Sequence, residues 1–328
     1  MSNFIKSTKS LAIIGYAFGH GAKIHATSKS PVYLRNTYQL VDRLKQTGIN
    51  AKWIQTVSLN REVHGLAADV NDDEDTSIGI DHELVWQNTN ALASNLYTML
   101  LTLEHQSEAT NTRDTVPVVI GGDHSCAIGT FSAATHAFNA AGRFGLIYID
   151  AHMDAHTVNT SPSKRYHGMP LSILLGESCQ DSLGSLQFSG PKLQPEHLAL
   201  IGIRSFEEGE QKLLQSKQVK IFSADEVNQR GAHVVFEDAL KVVTKGTVGF
   251  GVSFDLDAID PKYAPGVGSP ADHGIKFDDD LKTALSKLFQ HEKFKLLEIV
   301  ELNPNLDRED KTANIVFETL KLFKQNKR

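Results

Sequence analysis

An α/β fold in three layers, with a mostly parallel central sheet between two layers of helix, follows from three features of this 328-residue chain. Short, nearly continuous apolar runs recur along its length, as expected of strands buried on both faces. Amphipathic stretches separate most of these runs, and a parallel sheet needs such crossovers. Polar groups rich in Asp, His and Gly follow three of the runs, at the position where open α/β sheets bind ligands.

Taken in order, the run 11–18 begins the sheet, and Gly15, Gly19 and Gly21 lead it into a loop. Helical periodicity over 32–45 and 83–105 follows, separated by the segment 59–82, which is acidic around Asn71 and Asp75 and has no assigned role. Strands are predicted at 116–120, 146–149, 198–203, 219–222, 248–254 and 294–300. Helices are predicted at 125–138, 207–216, 224–244, 277–289 and 312–325. A second polar stretch, 155–166 with Pro162, starts beside a cluster of Asp and His, where a functional loop is expected. With no solenoid repeat and no low-complexity tract, a single domain over 1–328 is expected.

Hydrophobic residues make up 41% of the chain and charged residues 22%, ordinary values for a soluble globular protein. The net charge of −6 lacks the basic footprint of a nucleic-acid binder. Cys126 and Cys179 cannot build a disulfide framework or a Cys-x-x-Cys site, which fits a reducing cytosol. Lys6 and Lys9 precede the run 11–18, but no Ala-x-Ala-like cleavage site follows. No apolar run approaches the ~20 residues needed to span a bilayer. The expectation is a cytoplasmic enzyme of small molecules, without nucleic-acid or membrane partners.

The chemistry concentrates at three strand ends. Asp150, His152 and Asp154 follow the run 146–149 at every second position, and in extended chain alternate side chains share one face. Gly-Gly-Asp-His-Ser at 121–125 follows 116–120, and Asp255 with Asp257 follows 248–254. One Asp-x-His pair is easily a solvated loop, and Ser125 could merely cap the next helix. Three such clusters at three strand ends point instead to a metal site. The set of His124, His152 and four Asp, without thiolate, favours Mn²⁺ or another hard or borderline divalent ion. More than four ligands implies two ions with shared carboxylates.

These stretches resemble the three metal motifs of the ureohydrolase family, the arginases and agmatinases: 121–125, Asp-Ala-His-x-Asp at 150–154 and Ser-Phe-Asp-x-Asp-x-x-Asp-Pro at 253–261. His-Gly-Met-Pro at 167–170 and Glu-Leu-Asn-Pro at 301–304, leading to Lys311-Thr312-Ala313, are more similar to arginase than to its relatives. The resemblance implies one Mn²⁺ held by His124, Asp150, Asp154 and Asp255, and another by His152, Asp150, Asp255 and Asp257. It further implies that a hydroxide bridging the ions attacks a guanidinium, so that L-arginine yields L-ornithine and urea. Glu301 would pair with the guanidinium, His167 would carry a proton to the leaving amine, and Asp154 would pass on the proton of the bridging water.

Recognition of the amino-acid end is expected from Ser163, His156, Arg165 and Glu207. His156 and Arg165 stand where many arginases have Asn, and Glu207 lies near the family's amine-contacting Asp; a helix first-turn role is the alternative for Glu207. Agmatine, another guanidino acid or formiminoglutamate are the competing substrates, the last because Ala264-Pro265-Gly266-Val267 also resembles formiminoglutamase. An inactive metal-binding scaffold is the remaining possibility. Family resemblance implies a homo-oligomer, trimeric or hexameric. His20 and His25 are assigned a structural role or none.

Overall fold

The computed structural model describes residues 9–58, 82–110, 114–138, 143–177 and 191–324. Segment 59–81, Cys179 and the last residue of the predicted helix 312–325 lie outside them. Eight strands form one sheet in the order β2-β1-β3-β8-β7-β4-β5-β6. They are β1 (Ser10–Tyr16), β2 (Ala51–Val57), β3 (Thr115–Ile120), β4 (Phe144–Ile149), β5 (Leu198–Ile203), β6 (Lys220–Ser223), β7 (Gly249–Asp255) and β8 (Phe294–Val300). Every pairing is parallel, so the carboxyl ends of all eight strands lie on one edge.

Alternation along each strand divides the apolar residues between two cores. On β4, Phe144, Leu146 and Tyr148 face one core while Ile147 and Ile149 face the other. The first core is closed by α3 (His82–Thr110), α4 (Cys126–Ala137) and α5 (Pro170–Leu174), together with Leu214 of α6 (Glu208–Ser216). The second is closed by α2 (Leu40–Gln46), α7 (Ala224–Arg230), α8 (Ala232–Thr244), α9 (Asp279–Gln290) and α10 (Lys311–Lys321). This arrangement is the predicted three-layer α/β class.

Some elements differ from expectation for identifiable reasons. The predicted helix 224–244 is two helices, because Gly231 at φ +87° breaks the right-handed backbone between α7 and α8. The predicted helix 32–45 begins as a short α-turn, α1 (Ser30–Val32), and a π-turn (Tyr33–Thr37); Gln39 at φ +56° then separates these from α2. β2 was not predicted: it is an edge strand, with Lys52 and Ile54 exposed. Among the described residues no helix is long and apolar enough to cross a membrane.

Candidate metal centre and active site

The four central strands, β3-β8-β7-β4, bring the predicted residues to one place. β3 leads into Gly121 and His124, β8 into Glu301, and β4 into Asp150, His152 and Asp154, while β7 ends on Asp255 with Asp257 just beyond. The glycine at 122 is required by packing: a Cβ there would lie 1.8 Å from the Phe18 carbonyl oxygen.

Of three groups of potential ligands among the described residues, two lie at these strand ends, one of His124, Asp150 and Asp255 and one of Asp150, His152 and Asp257, with Asp150 common to both; the third is His156, Glu207 and Glu210. His124 Nδ1 lies 3.0 Å from Asp150 Oδ2, 3.0 Å from Asp255 Oδ2 and 3.2 Å from Asp154 Oδ2. His152 Nδ1 lies 3.1 Å from Asp257 Oδ2 and 3.4 Å from Asp150 Oδ1. His124 Nδ1 and Asp150 Oδ2 are buried and lack any hydrogen-bond partner. Buried polar atoms are rarely left so. Their mutual approach, with two further carboxylates around them, fits a divalent cation between them, and the imidazole and carboxylate donors suit a hard or borderline ion.

The Asp-x-His and Asp-x-Asp spacing has a local cause. Asp150 Oδ1 accepts the His152 N–H at 2.7 Å, and Asp255 Oδ1 accepts the Asp257 N–H at 2.8 Å. Each is an Asx turn that fixes one oxygen and leaves Oδ2 turned toward the cluster. Strict extended alternation does not carry through to Asp154, since β4 stops at Ile149 and Asp154 has φ +46°. A left-handed backbone aims its carboxylate, and the Tyr148 hydroxyl donates to its Oδ2 at 2.8 Å.

Behind the ligands, His124 Nε2 is 2.8 Å from Ser253 Oγ, and that hydroxyl donates to Glu298 Oε1 at 2.8 Å. Ser253 therefore accepts from Nε2–H, which leaves the Nδ1 lone pair for a metal. Ser125 does not cap α4 with its side chain; its amide and hydroxyl both donate to Asp123 Oδ1. Asp123 Oδ2 accepts the Gly21 N–H at 2.7 Å. Burial, reinforced by Glu301, pushes the Asp123 carboxyl up to about 6.

Glu301 is buried, and its φ of +67° turns it back over the sheet edge. Its Oε1 accepts the His124 N–H at 2.8 Å and lies 3.8 Å from His167 Nδ1, too far for a hydrogen bond. Burial lowers the His167 pKa, but the charges of Glu301, Asp154 and Asp123 outweigh it and hold the imidazole above its ordinary 6.5.

One cavity is lined by His124, His152, Asp154, Asp255, Asp257, His167 and Glu301 at its inner end and by His156, Ser163, Glu207 and Glu210 farther out. Arg165 is not among its lining residues; the Arg165 guanidinium donates to the Ala22 carbonyl at 2.7 Å. His156 Nε2 bonds Glu207 Oε2 and lies 3.4 Å from Glu210 Oε2, while Nδ1 is 3.2 Å from Thr160 Oγ1. Glu207 is the N-cap of α6 in a reciprocal capping box with Glu210. Glu210, Ser253 and Tyr148 were missed from sequence. The Glu-x-x-Glu spacing at a helix start was a usable signal for the first, since capping boxes have that form. His20 and His25 pack with ring centroids 4.1 Å apart, outside the cavity lining.

Comparison with known proteins agrees with this geometry. The model of the "Arginase family" matches residues 9–322. The arginase of Bacillus subtilis (strain 168) is 32% identical over 313 residues, covering 94% of this chain and 96% of that protein. Identity with the Bacillus caldovelox arginase is 40% over 203 residues, 62% of this chain and 66% of that protein. The solved structure of the latter superposes with a TM-score of 0.79 at 30% identity, over 97% of this chain and 99% of that one. An Entamoeba histolytica arginase in complex with L-ornithine gives 0.78 at 26% identity, covering 97% and 99%. With eight parallel strands, two ligand groups sharing a carboxylate and a match over nearly its whole length, the chain belongs to the arginase family and is a ureohydrolase-type enzyme.

Proposed function

We propose that the protein hydrolyses the guanidino group of L-arginine, giving L-ornithine and urea, with two Mn²⁺ ions per subunit. The observation that carries this reading is the pair of ligand groups joined through Asp150, in one cavity with Glu301 and His167. His124, Asp150, Asp154 and Asp255 would hold one ion, and His152, Asp150, Asp255 and Asp257 the other. When bound, such a pair acidifies a water enough to supply the nucleophile at neutral pH.

The chain's own groups perform the rest. Glu301, with Oε1 tied to the His124 amide, presents a carboxylate of fixed orientation to the planar guanidinium. Asp154 takes up the proton lost by the water, and His167, whose carboxylate neighbours favour its protonated form, gives a proton to the departing amine. Glu207 and Glu210 offer negative charge to the substrate ammonium, and Ser163 offers a hydroxyl to its carboxylate. A homo-oligomer, trimeric or hexameric, and a cytoplasmic location belong to the same proposal.

A second reading is favoured by the outer wall. His156 lines the cavity but bonds Glu207, and Arg165, outside the lining, donates to the Ala22 carbonyl, so each of these two expected carboxylate contacts has a partner within the protein. Agmatine or another guanidino compound without a carboxylate fits that wall. A urea assay on arginine and agmatine in parallel, after Mn²⁺ loading, decides. Urea and ornithine from arginine are expected, and hydrolysis of agmatine alone would overturn the arginine assignment.

A further inference from the structure

Three of the four aspartates at the centre are anchored by backbone amides: Asp150 by His152, Asp255 by Asp257, and Asp257 by the Ala151 N–H at 3.2 Å. Asp154 is held differently. It sits in left-handed backbone, and its Oδ2, the oxygen that faces His124 Nδ1 at 3.2 Å, accepts the Tyr148 hydroxyl at 2.8 Å. A carboxylate can only accept, so the phenol is the donor.

Tyr148 touches a second ligand as well. Its ring lies parallel to the His124 imidazole, with centroids 4.4 Å apart and planes inclined by 4°. The side chain is fully buried on the Phe144 and Leu146 face of β4. A core-filling aromatic needs neither contact. Here the hydroxyl contacts Asp154 and the ring contacts His124, two of the four residues that would hold the proposed first ion.

We propose that Tyr148 is a positioning residue of the metal centre: its hydroxyl directs Asp154 Oδ2 and its ring sets the plane of His124. It thereby controls the affinity and ligand field of the ion at His124. The proposal rests on the two-ion reading given above. Partners behind metal ligands typically change affinity by about 10–100-fold when removed.

The test uses the full chain and its Tyr148→Phe variant, which keeps the ring and removes the donor. Each protein is stripped of metal and titrated with Mn²⁺ by calorimetry; parallel samples are loaded with Co²⁺ for visible absorption. Expected are two ions bound by the wild type and, in the variant, one site weakened about 10-fold or more. A shifted Co²⁺ spectrum and a fall in kcat with KM nearly constant should accompany this. Melting temperature and circular dichroism should stay close to wild type, and the outlying Tyr263→Phe should change nothing. Wild-type affinities at both sites and an unaltered Co²⁺ spectrum in Tyr148→Phe would overturn the Tyr148 assignment alone. A wild type that binds no divalent ion would overturn both this inference and the reading beneath it.

Discussion

The two ends of the cavity are built from different material. At the inner end, His124, Asp150, Asp255 and Glu301 follow neighbouring strands, are buried, and are fixed by backbone hydrogen bonds within two residues or by the next strand's loop. At the outer end, Ser163 and Glu207 come from a loop and a helix cap, and the Glu207 side chain is 62% exposed. In the proposed function, reaction chemistry would rest on the sheet, whose geometry the main chain dictates, and substrate choice on residues that only tertiary packing brings together. The inner end should therefore fail all at once when altered, and the outer end by degrees.

The comparison is tested most severely at Asp150. Asp150→Ala should empty both ion sites and lower turnover by on the order of 10⁴ or more, because the ions supply several kcal/mol of charge stabilisation. Metal analysis beside a urea assay measures both, and full turnover in this variant would refute the shared-ligand assignment. His167→Ala should leave metal content unchanged while kcat falls by about 10²-fold, the usual worth of a general acid. At the outer end, Glu207→Gln should raise KM for arginine by about 10-fold at constant metal content, equivalent to ~1.4 kcal/mol. Loss of metal in that variant would show that the two ends are not independent.

The smallest effect concerns the metal-free protein and pH. Burial, then Asp154 and Asp257, push the Asp150 carboxyl up to about 7, and Asp123 is raised to about 6. Carboxyls raised in the folded state bind more protons there than in the unfolded chain, so stability falls as pH climbs from about 4 to 7. Despite burial, Asp150, Asp154 and Asp255 raise His124 well above 6.5, and its contribution is likewise lost as pH rises. Both trends have one sign. Chelated protein should melt roughly 5 °C lower at pH 8 than at pH 5.5, and added Mn²⁺ should remove the difference. Scanning calorimetry with and without chelator reads this directly, and a melting point that rises over that interval would contradict it.

Much of the inner end was legible in the sequence because strand ends and Asx turns leave local marks. Apolar runs give the strands, and a carboxylate whose oxygen bonds the amide two residues on gives the alternate spacing at 150–152 and 255–257. What escaped depends on distant partners. β2 owes its existence to pairing with β1, not to an apolar run, since Lys52 and Ile54 face outward. The bond from the Arg165 guanidinium to the Ala22 carbonyl, 143 residues away in the chain, leaves no local mark. Tyr148 looks like any strand aromatic until the fold stacks its ring on the His124 imidazole.

The strand order carries a consequence for how the protein is made. β1, β2 and β3 are neighbours, and so are β4, β5 and β6, but the two sets are joined only through β8 and β7. β1 to β6 are all synthesised before the two strands that join them, so until those are made β3 and β4 lack a partner on their inner edges, the kind of edge that invites pairing with other chains. The β4 edge can be covered once β7 has been made, after Asp255, whereas the β3 edge waits for β8, the last central strand, which ends at Val300. Asp255 ends β7, Asp257 lies just beyond it and Glu301 just beyond β8, so nascent chains that stop before Asp255 should lack both proposed ion sites, and those that stop before Glu301 should lack only the carboxylate proposed to pair with the guanidinium.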